Sequence, residues 1–168
     1  MNSTMKKLLG ATLGLMSTGA IATTTQLSIQ PLESSSFRLD WEGKTGITYF
    51  IQWSLNLQEW NYFPVIEEGV EHDAFNFNSD APYFFTRLVT SDISTTDPYS
   101  ADFDDDGLSN IFEVTYGYDP FEQESTLDGP DASLDPDTDG LSNASEQAAG
   151  SDPRTKDNPI LNLEVTVE

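Results

Sequence analysis

One pattern occurs twice in this chain. Residues 102–120 read DFDDDGLSNIFEVTYGYDP and residues 135–153 read DPDTDGLSNASEQAAGSDP. The first copy carries Asp102, Asp104 and Asp106, then Gly107, then Glu113; the second carries Asp135, Asp137, Asp139, Gly140 and Glu146. Carboxylates crowded in this way repel one another, by about 1 kcal/mol per pair at about 4 Å in water and about 4 kcal/mol near a protein surface. A bound dication removes the repulsion, so the pattern predicts a loop that closes around a hard cation.

Each residue type suits calcium. The ion takes six to eight oxygens at about 2.3 to 2.6 Å, and alternating Asp side chains converge on it only if the backbone curls tightly. Gly107 and Gly140 permit that curl, because a residue without Cβ reaches backbone angles that others avoid. Counting from Asp102 or Asp135 as position 1, the position-7 ligand is the main-chain carbonyl of Leu108 or Leu141, and position 9 falls on Asn110 or Asn143. Glu113 and Glu146 close the shell at position 12 from the first turn of a helix. A simpler reading stands beside this one. Asn110 with Glu113, and Asn143 with Glu146, also fit a helix-capping box, and acidic residues favour the positive end of a helix with no metal present. That reading leaves the crowding of Asp102, Asp104, Asp105 and Asp106 without a cause.

The DxDxDGLSNxxE core, followed by GYDP or GSDP, resembles the bacterial thrombospondin type 3-like calcium repeats of secreted and cell-surface proteins, and its loop is similar to that of dockerin modules. The resemblance covers residues 96–158 and implies a calcium loop followed by one short helix. It departs from an EF-hand upstream, where SDISTTDPYSA leaves no room for an entering helix. It also departs at position 8, where Ser109 and Ser142 replace an aliphatic residue that sits one place earlier, at Leu108 and Leu141.

Charge agrees with cation binding. The formal net charge is -22, most of it beyond Asp92, where Arg154 and Lys156 are the basic residues. Such a balance argues against nucleic acid or an anionic membrane surface as partner. Residues 1–22 have the form of a secretory signal peptide: Lys6 and Lys7, the apolar stretch LLGATLGLMSTGAIA, and Ala20-Ile21-Ala22 as cleavage site. The stretch is too short and too rich in Gly, Ser and Thr to suit a bilayer span. Secretion to the cell exterior, cell surface or periplasm is expected, with no membrane span in the mature chain. The chain has no cysteine, so a core and calcium, not disulfides, must stabilise it.

Residues 25–91 differ in character and hold all three tryptophans. Phe37, Leu39 and Trp41 alternate with polar residues, and after a GKTG turn Ile47, Tyr49, Ile51 and Trp53 alternate again, a pattern that predicts a β-hairpin. Further runs at 26–30, 62–66, 74–78 and 82–90 give about six short strands. The expected fold is mainly β: a small immunoglobulin-like antiparallel β-sandwich followed by two calcium loop plus short helix repeats. The pattern W-x-G…G-x-T-Y-x-I-Q-x-S-x-x-L-x-x-W over residues 41–60 resembles accessory β-domains found beside such repeats in bacterial surface proteins. Trp41 and Trp53 fall on the apolar phase of their strands, while Trp60 is the candidate for an exposed sugar-stacking platform. His72, in EEGVEHD, reads as a surface loop residue.

Residues 92–101 read as a linker and 121–134 as a polar connector, and the two loops are independent if that connector isolates them. The helices, near 109–116 and 142–149, should end at Gly117 and Gly150, with Pro120 and Pro153 preventing resumption. Asp119 and Asp152 suit backbone capping better than ligation. Residues 159–168 alternate as a half-buried strand, either paired with the β-domain edge or the stub of a further domain. Three functions stay open: a secreted, non-catalytic calcium-binding protein whose repeats stiffen and position the β-domain; a recognition module for a cell-surface protein or polysaccharide; and an enzyme. The last is the weakest, because the carboxylates sit at calcium-loop spacing and no nucleophile or histidine dyad accompanies them.

Overall fold

The computed structural model describes residues 27–32 and 35–156. The signal segment at 1–22 and the expected strand at 159–168 lie outside the described residues. The chain divides into two compact units between Pro98 and Tyr99.

The first unit is built of antiparallel strands: β1 (Ser28–Pro31), β2 (Ser36–Trp41), β3 (Thr48–Ser54), β4 (Asn61–Glu68), β5 (Asp73–Asn78) and β6 (Phe85–Ser91). They form two three-stranded sheets, ordered β1-β2-β5 and β4-β3-β6. Alternation works as the sequence requires in β2, where Phe37, Leu39 and Trp41 are buried and Arg38 is exposed. These residues meet Tyr49 and Ile51 of β3, Phe77 of β5 and Leu88 of β6 in one shared core. Rings carry much of the contact: Phe63 of β4 lies 5.0 Å from Phe75 and 5.1 Å from Phe77 of the opposite sheet.

The expected hairpin of β2 and β3 does not form. β2 pairs with β1 and β5, β3 pairs with β4 and β6, and residues 42–47 carry the chain from one sheet to the other. Two apolar strand faces in succession bury more surface by facing each other across a core than by lying side by side in one sheet with the same face uncovered. The crossing is tightly packed. A Cβ on Gly43 would lie 2.1 Å from Asp73 Oδ2 and 2.2 Å from the Val70 carbonyl oxygen, and one on Gly69 would lie 2.2 Å from the Lys44 carbonyl oxygen. The Gly69 N–H donates to the Ile47 carbonyl at 2.8 Å, which ties this crossing to the connection between β4 and β5.

Strand β3 also departs from simple alternation, since Phe50 and Gln52 are buried along with Tyr49 and Ile51. Side chains of the flanking strands cover its second face: Phe50 pairs in register with Ile66 and Val89 and lies 6.1 Å from the Tyr62 ring, and Gln52 Oε1 accepts from Arg87 Nε at 2.6 Å. Pro64 lies where the β3–β4 register shifts, on an edge strand, so its missing N–H breaks no ladder.

Among its described residues the second unit contains two short helices, α1 (Asn110–Tyr116) and α2 (Asn143–Ala149), and a 3-10 turn at Asp131–Ser133. Leu108, Phe112 and Tyr118 form its small core, with Tyr116, Ala132, Leu134 and Ala144 packed around them. Residues 99–101, expected as linker, belong to this unit. The Asn110 N–H donates to the Ala101 carbonyl at 2.7 Å and the Ile111 N–H to that of Tyr99 at 3.1 Å. Among the described residues, no helix is long and apolar enough to cross a membrane.

Candidate metal centre

Both repeats fold by the same local rules. Ser109 and Ser142 are the N-caps, accepting from the N–H groups of Phe112 and Ser145, so the cap is the serine and not the asparagine of the expected capping box. Gly117 and Gly150 close the helices in the left-handed conformation at φ 83 and 72°. At position 4 of each loop Asp105 and Thr138 take φ of 60 and 63°, and at position 6 Gly107 and Gly140 take 99 and 96°. Asp119 and Asp152 act as turn caps, accepting from the N–H groups of Phe121 at 3.2 Å and Arg154 at 3.0 Å.

Corresponding hydrogen bonds recur in the two loops. The Asp106 N–H donates to Asp102 Oδ1 and Asp104 Oδ1 at 3.2 and 3.1 Å, the Gly107 N–H to Asp102 Oδ2 at 2.8 Å, and the Leu108 N–H to Asp106 Oδ1 at 2.7 Å. In the second copy the Asp139 N–H donates to Asp135 and Asp137, the Gly140 N–H to Asp135, and the Leu141 N–H to Asp139. These bonds curl each loop so that the aspartates converge. Asp102, Asp104 and Asp106 bring oxygens within 4.8 Å of one another, as do Asp135, Asp137 and Asp139.

The other expected ligands are placed differently. Glu113 joins the first site: with Asp106 and Asp131 it forms a further group whose oxygens lie within 4.8 Å of one another. Glu146 is fully buried at the corresponding place on α2 but lies outside the Asp135, Asp137 and Asp139 group, and its Oε1 accepts from the Ser151 hydroxyl at 3.2 Å. Asn110 and Asn143 are fully buried ties within the unit: Asn110 Oδ1 accepts from the Phe103 N–H at 3.1 Å, and Asn143 Nδ2 donates to the Asp131 carbonyl at 2.7 Å. Leu108 and Leu141 turn their side chains into the interior.

Negative charge is concentrated and partly buried here. Glu113 is fully buried, and neither carboxylate oxygen has a hydrogen-bond partner. Burial, and then the charges of Asp104, Asp106, Asp102 and Asp131, push its pKa up to about 9. Burial also raises Asp104 to about 6, with Asp106 adding to the shift. Asp106 and Asp137 are raised as well, burial being the largest cause for each and N–H donors opposing it. Asp104 Oδ2, Asp106 Oδ2, Asp137 Oδ2 and Asp131 Oδ1 are further buried oxygens without a hydrogen-bond partner. Buried polar atoms are ordinarily paired, and a hard cation ligated by oxygen in each loop would satisfy them. The donor set therefore fits calcium.

The connector does not isolate the loops. Asp131 lies within it, and Gln123 Nε2 donates to the Asp104 carbonyl. Gln147 of α2 reaches back to the first loop, its Nε2 donating to the Gly107 carbonyl at 3.0 Å. Arg154 donates to the Tyr116 carbonyl and stacks 5.5 Å from the Tyr116 ring centroid. Asp131 and Gln147 carry no signal in the sequence, because neither is repeated: the places matching them in the first copy hold Pro98 and Val114.

In the β unit, Trp60 is not a bare platform. The Arg87 guanidinium covers its ring 4.1 Å from the centroid. His72 is exposed in a bend, as expected. No protein-family model, curated protein or solved structure matches this chain.

Proposed function

We propose that this is a secreted, non-catalytic calcium-binding protein in which two thrombospondin type 3-like repeats stiffen and position a small β-domain. The observation that carries the reading is Glu113, fully buried with both carboxylate oxygens unpaired and aimed at a cluster of further carboxylates. An uncompensated buried charge of this kind is costly, and a cation of the right size relieves it. Asp102, Asp104, Asp106 and Glu113 would hold one ion, and Asp135, Asp137, Asp139 and Glu146 a second. The main-chain carbonyls of Leu108 and Leu141 and the position-9 residues Asn110 and Asn143 complete the expected sets. The immunoglobulin-like reading of the β unit is supported by its strand order, β1-β2-β5 against β4-β3-β6, with connections that cross between sheets.

The test is a calcium titration followed by helical circular dichroism and hydrodynamic radius, with magnesium as control. Without the ion, the acidic and weakly apolar tail has the composition of an expanded chain. Calcium at about 10⁻⁴ to 10⁻³ M, the range of extracellular modules, should compact it and form both helices. No response to calcium, or an equal response to magnesium, would sink the reading.

A second reading, recognition of a polysaccharide by the β unit, is favoured by one feature. A groove lined by Trp53, Leu55, Phe63 and Phe84 also presents Asn78 and Ser79, the mixture of aromatic faces and hydrogen-bonding groups that sugar rings require. Glycan binding lost on Trp53→Ala would support it.

A further inference from the structure

We propose that Asp131 is a ligand of the first calcium ion, supplied from outside its loop by the segment that leads into the second repeat, so that the first site is complete only when the two repeats are folded together. The inference rests on the calcium reading of the first loop and adds to it a ligand that the loop pattern does not contain.

Three observations carry it. Asp131 is fully buried, and it offers one oxygen within 4.8 Å of one from Asp106 and one from Glu113. Its two oxygens have separate employment. Oδ2 accepts from the N–H of Ser125 at 3.0 Å and from the Ser125 hydroxyl, whereas Oδ1 is buried with no hydrogen-bond partner. Glu113, fully buried with both oxygens unpaired, faces the same place, so the unpaired oxygens are not the accident of one side chain. Two carboxylates held together in this way repel when both are ionised, and a shared cation makes the approach of the ionised pair favourable.

The main chain of Asp131 is held from both directions. Its N–H donates to the Gln123 carbonyl at 2.9 Å, and its carbonyl accepts from Asn143 Nδ2, on the first residue of α2, at 2.7 Å. The ligand is thus oriented by the second repeat. Affinity in calcium loops rises with the number of charged ligands and with the rigidity of the site. The first site has both advantages, and occupation of the second loop, by ordering α2, also orders Asp131.

Calcium titration of the chain by isothermal calorimetry tests this with Asp131→Asn, which keeps the shape and an acceptor for Ser125 but removes the charge. One of two binding events should weaken about tenfold or more and the other by much less. Two unchanged events in Asp131→Asn would overturn the inference while leaving the calcium reading standing, whereas a parent chain that binds no calcium would remove both. If Asp131→Asn loses the calcium-induced helix signal altogether, Asp131→Glu decides: recovery of the first event supports a carboxylate ligand, and no recovery overturns it. Ser125→Ala separates ligation from bracing. It should leave affinity within about threefold, and a loss equal to that of Asp131→Asn would show that the pair is only a structural brace.

Discussion

Gln147 Oε1 accepts hydrogen bonds from both the backbone N–H and the hydroxyl of Ser109, at 2.7 and 2.8 Å, across thirty-eight positions of sequence. Ser109 is the N-cap of α1, so a side chain of the second helix steadies the start of the first. With the bond from Gln147 Nε2 to the Gly107 carbonyl, one amide uses donor and acceptor together. Gln147→Ala should therefore destabilise the calcium-loaded repeats by about 1–3 kcal/mol, the range for leaving partly buried partners unsatisfied. A thermal melt in saturating calcium that matched the parent chain would refute this.

The two loops should also fail together. Asp137→Ala removes a ligand of the second site, and through α2, Asn143 and Gln147 it should lower the affinity of the first site as well. Coupling between two binding sites is reciprocal, so Asp104→Ala should in turn lower the affinity of the second site. Calorimetric titration of the two variants checks this, and an untouched first site in Asp137→Ala would show that the repeats are independent.

Protons and calcium should compete at Glu113. Folded without the ion, this carboxyl is held up near 9, against an ordinary value of 4.5 that the unfolded chain regains. A raised acid favours the folded state least at high pH: between about 4.5 and 9 the unfolded chain has released a proton that the folded one still holds, so stability falls as pH rises. The calcium-free tail should thus be more helical at pH 5 than at pH 8. Calcium reverses the order, because it binds the carboxylate and is displaced by protons as pH falls. Circular dichroism at the two pH values, with calcium and with chelator, reads both signs.

In the β unit the crossing at 42–47 should be sensitive at Gly43 for a steric reason and at Gly46 for a conformational one. Gly43→Ala drives a methyl into the Val70 carbonyl and Asp73, and overpacking of this kind costs about 1–3 kcal/mol. Gly46→Ala meets no atom within 4 Å but must hold φ near +82°, at about 1–2 kcal/mol. A shift in the melting temperature of several degrees is expected for each. An unchanged melt for Gly43→Ala would mean that the crossing opens without loss.

What the sequence determined by itself is local. The curl of each loop, the glycines at positive φ, the serine-started helices and their left-handed glycine ends close within a dozen or so residues. Their causes are adjacent in the chain: carboxylates at alternate positions accept from N–H groups two to five residues away, and glycine reaches angles that other residues avoid. Burial of Phe37, Leu39, Trp41, Tyr49 and Ile51 was legible for the same reason, since a strand alternates its faces wherever it lies. Which strand pairs with which was not legible. Alternation marks the buried face of β2 and of β3 but not whether those faces lie side by side or opposite each other, and the core contacts with β5 and β6 decided that. Phe50 shows the same limit, because its cover comes from Ile66, Tyr62 and Val89 of the flanking strands, which the residues of β3 do not specify. Asp131 and Gln147 depend most on the tertiary structure. Nothing near them in sequence distinguishes them from other polar connector or helix residues, and they acquire a role only because folding brings the second repeat against the first loop, where a buried oxygen or amide must find a partner.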